Sequence, residues 1–404
     1  MKKIIGIVLV ALMTLTLTGC WNRVELNEIA IISGTAVDWK DGQFQLSYQI
    51  VMPSAISSQV GGSSQGASVN VFSTQGDSLR GAINKASREL ARRLYFSHNQ
   101  VLVIGESAAA NGLDSLFDAY LRNTDSRETV SVFLTKGNGR TILEQLIPLE
   151  KIPGSAIQRM MENESRNGSA TKQMTMHEVL VELFGAAKAT AIPGLTVAGT
   201  QENMNETTKL SQTNTPSKVR LAGTGLLYKD KLSGWLTPKE SIGVMWIADQ
   251  IKKTTVSFSC PDSESQEKSS AIRIIYAKTK LTPKLIDGQW SMDVSVKTQG
   301  SLVELKCDND MGKPKEVAKL ERQIAAEIQR MMESGWMALS ATKTDVVGFG
   351  KLLREKHPDE WKQLSADWPE NFAAMKLNYK VKVKINSTGM SGTSFKKTQE
   401  QSGP

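Results

Sequence analysis

The feature that most constrains this chain is its start, which decides the solvent in which everything after it must fold. Lys2 and Lys3 precede an almost unbroken apolar run, Ile4 to Leu17, interrupted only by Gly6, Thr14 and Thr16. Leu17-Thr18-Gly19-Cys20 follows, and polarity switches abruptly at Asn22-Arg23. A basic start, a short apolar core and small residues before a cleavage point make the plan of a secretory signal peptide. The run falls short of the about 20 apolar residues that span a bilayer comfortably. A cysteine directly after Leu-small-Gly looks like a bacterial lipobox, in which Cys20 receives a diacylglyceryl group and becomes the mature N-terminus. The same residues would also suit a short N-terminal anchor helix that happens to end at a cysteine. On the lipobox reading 1–19 is the leader, and the anchor is the covalent diacylglycerol and N-acyl lipid on Cys20. Two or three acyl chains hold a protein stably, at about 0.8 kcal/mol per buried CH₂.

No second long apolar run follows, so the remainder is expected to be soluble. The 404 residues suffice for about two to three domains at the usual ~150 each, and 40% hydrophobic with 22% charged residues reads as globular. The formal balance is +8, and losing Lys2 and Lys3 with the leader reduces it by two. A modest positive charge on a tethered chain suits an anionic membrane surface. A nucleic-acid partner does not fit an extracytoplasmic lipoprotein.

Glu28 to Val37 and Gln43 to Val51 read as a hairpin around Asp41-Gly42. Residues 54–68, rich in Ser and Gly, read as a mobile loop. Val69 to Thr74 is a predicted strand. A helix capped by Asp77 or Ser78 is expected to reach about Leu94, with Arg80, Lys85, Arg88, Arg92 and Arg93 on its solvated faces. Val101-Leu102-Val103-Ile104 is a continuous apolar run typical of a buried strand. Helix Gly112–Arg122, strand Thr129–Thr135 and short helix Thr141–Ile147 follow, giving an α/β layer. Met174 to Ala189 reads as one amphipathic helix. Residues 20–199 therefore form an N-terminal α/β region, with room for two subdomains, and 200–217 a polar linker.

Residues 218–386 read as a C-terminal α+β domain. A hairpin, Val219–Tyr228 with Lys231–Leu236, leads to a helix from Pro238 that carries Trp246. An antiparallel meander follows: Thr254–Cys260, Ala271–Leu281, Trp290–Leu305. In that order Cys260 and Cys307 lie at one end of a sheet. They could pair, as export permits, or remain thiols on strands separated by a third. Pro314 to about Ser340 is the longest predicted helix, through Val317, Leu320, Ile324, Ile328 and Met331. Leu377 to Ile385 alternates apolar residues with Lys380, Lys382 and Lys384: one core face, one wet face, and a lysine stripe that suits guarding a sheet edge ahead of facing a membrane. Residues 387–404 read as a disordered tail. The fold class is α+β and multi-domain, with mixed and antiparallel sheets and helices packed on them.

The sequence carries no positive sign of an enzyme. His98, His177 and His357 sit far apart without metal-like spacing, and no Gly-x-Ser-x-Gly elbow exists. Gly348-Phe349-Gly350-Lys351 lacks the full phosphate-loop pattern, and its glycines are better explained by close packing.

In combination, several segments resemble the Ger(x)C family, the lipoprotein C subunits of nutrient germinant receptors in endospore-forming bacteria. They are Cys20-Trp21-Asn22-Arg23-Val24-Glu25-Leu26-Asn27-Glu28-Ile29-Ala30, Phe96-Ser97-His98-Asn99-Gln100 through Gly105-Glu106, Leu121-Arg122 closing at Arg127, Leu232-Ser233-Gly234-Trp235-Leu236 with Trp246, and Asp345-Val346-Val347-Gly348-Phe349-Gly350 followed by Pro358, Trp361 and Trp368. Family members tend to read Arg-Asp-Pro-Glu-Leu-Arg where this chain has Arg122-Asn123-Thr124-Asp125-Ser126-Arg127, so the flanking arginines match and the middle departs. The resemblance implies a noncatalytic subunit on the outer face of the spore inner membrane. It would act with integral-membrane A and B type subunits when nutrients trigger germination. Cys20 is the one residue whose chemistry carries over. Trp21, Arg122, Arg127, Trp235 and Trp246 match motifs, as partner contacts or as structural residues. A lipid-anchored solute-binding protein that captures a nutrient itself is the alternative from another class.

Overall fold

The computed structural model describes residues 27–57, 66–122, 127–199, 204–260, 268–307 and 310–388, besides residues 4–6, 25 and 399. Cys20, Trp21, most of residues 1–19, residues 58–65, residues 123–126 and nearly all of residues 387–404 lie outside the described residues; the expected 54–68 loop begins instead within a short helix, Pro53–Ser57. Among the described residues, no helix is long and apolar enough to cross a membrane.

The chain builds two mixed sheets with helices packed on them, an α+β architecture. The first sheet has nine strands: β1 Ile29–Lys40, β2 Gln43–Val51, β3 Val69–Gly76, β4 Arg93–Tyr95, β5 Val101–Gly105, β6 Ser131–Thr135, β7 Ala189–Gly199, β8 Ser217–Tyr228 and β9 Lys231–Leu236. Their order is β3-β2-β1-β5-β6-β7-β8-β9, with β4 beside β1. The centre, β1-β5-β6-β7, is parallel, and the flanks are antiparallel. The β1–β2 turn places Asp41 and Gly42 at φ 52° and 78°, the left-handed geometry that Asp-Gly supplies.

The helices that cover this sheet are α1 Leu79–Glu89, α2 Glu106–Asn111, α3 Asp114–Arg122, α4 Gly139–Leu143, α5 Pro153–Asn167 and α6 Met176–Leu183. They bury both faces of the centre. Leu102, Ile104, Val132 and Leu134 pack into one core, and Val101, Val103 and Phe133 into another. That is why β5 reads as an uninterrupted apolar run.

Several local expectations give way to tertiary demands. The helix from Ser78 stops at Glu89, because Leu90 is extended and Arg93–Tyr95 pairs with the start of β1 as a strand. The 112–122 helix is preceded by the separate α2, which turns at Gly112. The expected 174–189 helix ends at Leu183, and the chain returns as β7. Pro193-Gly194 hides that strand in the sequence. Pro193 sits at a register shift, where the ladder tolerates its missing N–H, and Gly194 lets Ala222 and Trp235 approach closely. The hairpin expected to open the C-terminal domain instead supplies β8 and β9 to the first sheet, so the chain leaves that sheet only after Leu236.

Helix α7, Pro238–Ile247, carries the chain across. Its Thr237–Glu240 capping box satisfies the first turn from both sides. The second sheet runs β10 Thr254–Phe258, β11 Ser270–Ile286, β12 Gln289–Glu304 and β13 Lys376–Ser387 in spatial order. The first three form the expected meander, and β13 returns parallel to β12. Helix α8, Pro314–Thr342, lies in the core of this half with Leu320, Ile324, Ile328 and Met332 buried. It crosses α7 where Gly243 faces Gly335. A Cβ on Gly243 would fall 2.0 Å from the Met331 carbonyl oxygen. Helices α9 Phe349–Lys356, α10 Pro358–Leu364 and α11 Trp368–Ala373 close the same core.

Candidate functional site

The carboxyl ends of the parallel strands β1, β5 and β6 meet in a crevice of about 410 Å³, lined by Asp38, Trp39, Glu106, Ser107, Lys136 and Asn138. Ligands of open α/β sheets gather at such strand ends, so the chemistry there decides what the site can do. Asp38 ends the buried part of β1 and is 2% exposed. Its carboxylate accepts hydrogen bonds from the backbone N–H groups of Gly139 (2.9 Å) and Arg140 (3.3 Å) at the start of α4. The Asn138 amide, with its nitrogen turned toward Asp38, donates at 2.6 Å. Burial raises the Asp38 pKa above the ordinary 3.8, and the two backbone bonds oppose the rise. Gly105 is what makes room, since a Cβ there would lie 2.0 Å from Asp38 Oδ1.

Glu106 follows at once, and its Oε1 accepts the indole N–H of Trp235 at 2.7 Å. Lys136 Nζ stands 5.5 Å from the Trp235 ring centroid. The fold thus joins two segments far apart in sequence, Gly105-Glu106 where β5 passes into α2 and Trp235 in β9. No nucleophile–base pair is present in this crevice. Among the described residues, no group of three or more His, Cys, Asp or Glu could hold a metal. What the arrangement accomplishes is mechanical: it ties the ends of β1, β5, β6 and β9 together.

The other motif residues lie elsewhere. Arg122 closes α3 on the rim of an apolar groove of about 880 Å³ between α1, α3 and α6, and pairs with Asp118 at 2.8 Å. The Asp118 hydrogen bond and charge raise its pKa. Both side chains are well exposed, so the pair adds little stability. Arg127 is exposed, and its carbonyl receives the Val130 N–H. Trp246 is fully buried in the second core, and its carbonyl accepts the Thr279 hydroxyl at 2.7 Å. Cys260 and Cys307 are joined by a disulfide with Cα atoms 5.3 Å apart, one closing β10 and the other following β12.

Asp345 enters the sequence reading only as the first residue of a motif, with no role of its own. Its carboxylate caps α9, accepting N–H bonds from Gly348, Phe349 and Gly350 at 2.7 to 3.1 Å and from the Trp368 indole at 3.1 Å. Burial raises its pKa, and these bonds oppose the rise. Gly348 adopts φ 83°, and Gly350 lies against the Trp361 and Trp368 rings with no room for a Cβ. Asp38 carries a comparable signal: a lone acid at the end of an apolar strand. Buried acids of this kind need several donors.

Residues 22–197 match a family model described as "Spore germination protein N-terminal domain", and residues 222–389 one described as "Spore germination B3/ GerAC like, C-terminal". "Spore germination protein KC" of Bacillus subtilis is 28% identical over 98% of this chain and 98% of its own length. "Spore germination protein B3" of the same organism is 24% identical over 94% of this chain and 96% of its own. The crystal structure of the GerBC protein superposes with a TM-score of 0.55 at 19% identity. It covers 87% of this chain and 97% of that one, and it shares the fold.

Proposed function

Because the chain belongs to the Ger(x)C family of spore germination proteins, we propose that it is the lipid-anchored, noncatalytic C-type subunit of a nutrient germinant receptor. It acts on the outer face of the spore inner membrane with integral-membrane A and B type subunits. A role in germination follows from the family itself. The observation that carries the finer reading is the match of the two family models to residues 22–197 and 222–389, the first beginning directly after Leu17-Thr18-Gly19-Cys20-Trp21.

Two further features support it. The strand-end crevice spends its charged groups on bonds within the protein, with Asp38 on α4 and Glu106 on Trp235, as a scaffold would. Strand β1 begins at Ile29, so few residues separate it from the proposed lipid on Cys20. At no more than about 3.6 Å per residue, that spacer keeps the start of the first sheet near the bilayer.

The test is the Cys20→Ala chain in its own host. It is expected to lose palmitate incorporation and to block germination with some nutrients, as deletion of the whole chain would, while vegetative growth stays normal. Continued labelling would end the lipid assignment. Unchanged germination of the deletion strain with every nutrient tested, in a host without redundant receptors, would end the receptor assignment.

A further inference from the structure

The solvent face of the second sheet carries charges that its own stability does not ask for. Pairing places Lys278 of β11 opposite Lys297 of β12, and Lys297 opposite Lys382 of β13. Three ammonium groups thus cross the sheet in one row, on strands about 4.8 Å apart. Like charges placed directly opposite destabilise a sheet. Two residues along, the row is Lys280–Ser295–Lys380; two residues the other way it is Tyr276–Gln299–Lys384. Asp249 pairs with Lys278 and Asp293 with Lys284. Among the described residues, no carboxylate lies within ion-pair distance of Lys280, Lys297, Lys380, Lys382 or Lys384.

Guarding an edge accounts for lysines on β13, which ends the sheet. It does not account for Lys297, whose strand has a neighbour on each side. Apolar groups border this cationic field. Tyr276 is half exposed on the same face, and Leu285 and Ile286 stand out at the tip of the β11–β12 hairpin, each 53% exposed. Where β10 stops short, a crevice of about 630 Å³ opens between the free edge of β11 and α9. Lys278, Lys280, Lys297 and Lys351 line it against two carboxylates, Asp249 and Glu355, beside Leu281 and Leu352. Four lysines against two carboxylates leave the hollow net cationic, with an apolar side and room for a phosphate-bearing headgroup.

We propose that this face docks on an anionic lipid surface. The lysines meet headgroup phosphates, and the Leu285–Ile286 tip enters the headgroup boundary. A cationic face combined with protruding apolar side chains is the pattern that binds such surfaces, and its charge component is screened by salt. The proposal deepens the tethered reading above, because a lipid anchor makes the docking intramolecular and weak contacts then suffice.

The test uses the full lipidated chain on vesicles of phosphatidylcholine alone or mixed with phosphatidylglycerol. Surface lysines are labelled with an amine-reactive reagent and read by mass spectrometry. Lys297, Lys380 and Lys382 are expected to label several-fold more slowly on the mixed vesicles, with high salt removing the difference. Lys362, exposed on α10, should label equally on both. The doubly substituted K380E/K382E chain, altered only at exposed positions, should lose the protection of Lys297. Equal labelling of the three lysines on both vesicle types overturns the proposal. So does protection that appears only when copurified receptor chains are present, which would make the partner an acidic protein surface. Failure of the chain to stay on phosphatidylcholine vesicles would count against the lipid anchor instead, and the comparison on mixed vesicles still decides the docking face.

Discussion

Strands β5 and β6 in the first sheet and β12 and β13 in the second bury apolar side chains by different rules. In β5 every residue is buried, with alternate side chains entering cores on opposite faces. In β13 exposed and half-buried positions alternate from Lys376 to Asn386. A strand covered on both faces has no place for an unsatisfied charge, so Asp38 at the end of β1 is enclosed by backbone and amide donors. A strand covered on one face has a free surface, and this chain fills it with lysines. The first sheet is therefore built for rigidity, and the second is where surface chemistry is available.

The sharpest test of that contrast is truncation on each sheet. Phe133 on β6 is fully buried, so Phe133→Ala should cost about 3–5 kcal/mol through lost burial and the cavity left behind. Val381 on β13 is half-buried on the core side, and Val381→Ala should cost about 1 kcal/mol, in proportion to the area it hides. Denaturant midpoints of the two variants measure both. Equal losses would mean that β13 is as deeply enclosed as β6, and the contrast would fail.

A second test concerns the buried carboxylate of the C-terminal half. Asp345→Asn keeps the shape but leaves two of four donors facing an amide NH₂ instead of oxygen, and should cost at least about 1–3 kcal/mol at neutral pH. Burial raises the folded pKa of Asp345 above the ordinary 3.8. The folded state therefore holds its proton more tightly, and the associated stability is fully present below 3.8 and lost as pH rises through the folded value. The asparagine variant lacks this term. The gap in Tm between wild type and variant should widen as pH falls from neutrality toward 4. A gap constant with pH would show that Asp345 titrates normally and that its donors offset its burial completely.

Much of this was legible locally. Asp41-Gly42 between an apolar run and an alternating one announces the first hairpin, the apolar run at 101–104 announces a buried strand, and the period of two in 377–385 announces a one-faced strand. What was not legible depended on partners distant in the chain. β7 was masked by Pro193-Gly194, acceptable only because β8 shifts register there. The membership of β8 and β9 in the first sheet is decided by pairing with β7, which no periodicity within 219–236 encodes. The motif residues Glu106 and Trp235 could be read singly, but not as the pair their hydrogen bond makes. The lysine stripe of β13 was visible as alternation. The row that it completes with Lys278 and Lys297 was not, since β12 and β13 pair across a long stretch of chain that holds α8 to α11.

That row gives the smallest and most discriminating effect. Lys297 stands between Lys278 and Lys382, so Lys297→Glu converts a line of like charges into an alternating one. Opposite-charge pairs across strands contribute roughly 0.2–1 kcal/mol each, and the site is exposed, so the expected gain lies at the low end of that range. The variant should melt slightly higher than wild type, and the gain should shrink in high salt. On vesicles containing phosphatidylglycerol the same variant should lose protection of Lys380 and Lys382. A change that improves the fold while weakening the surface separates the two roles assigned to this half of the molecule. If Lys297→Glu instead lowers the melting temperature, the lysine row is already compensated within the protein, and the wet face of the second sheet is structural like the first.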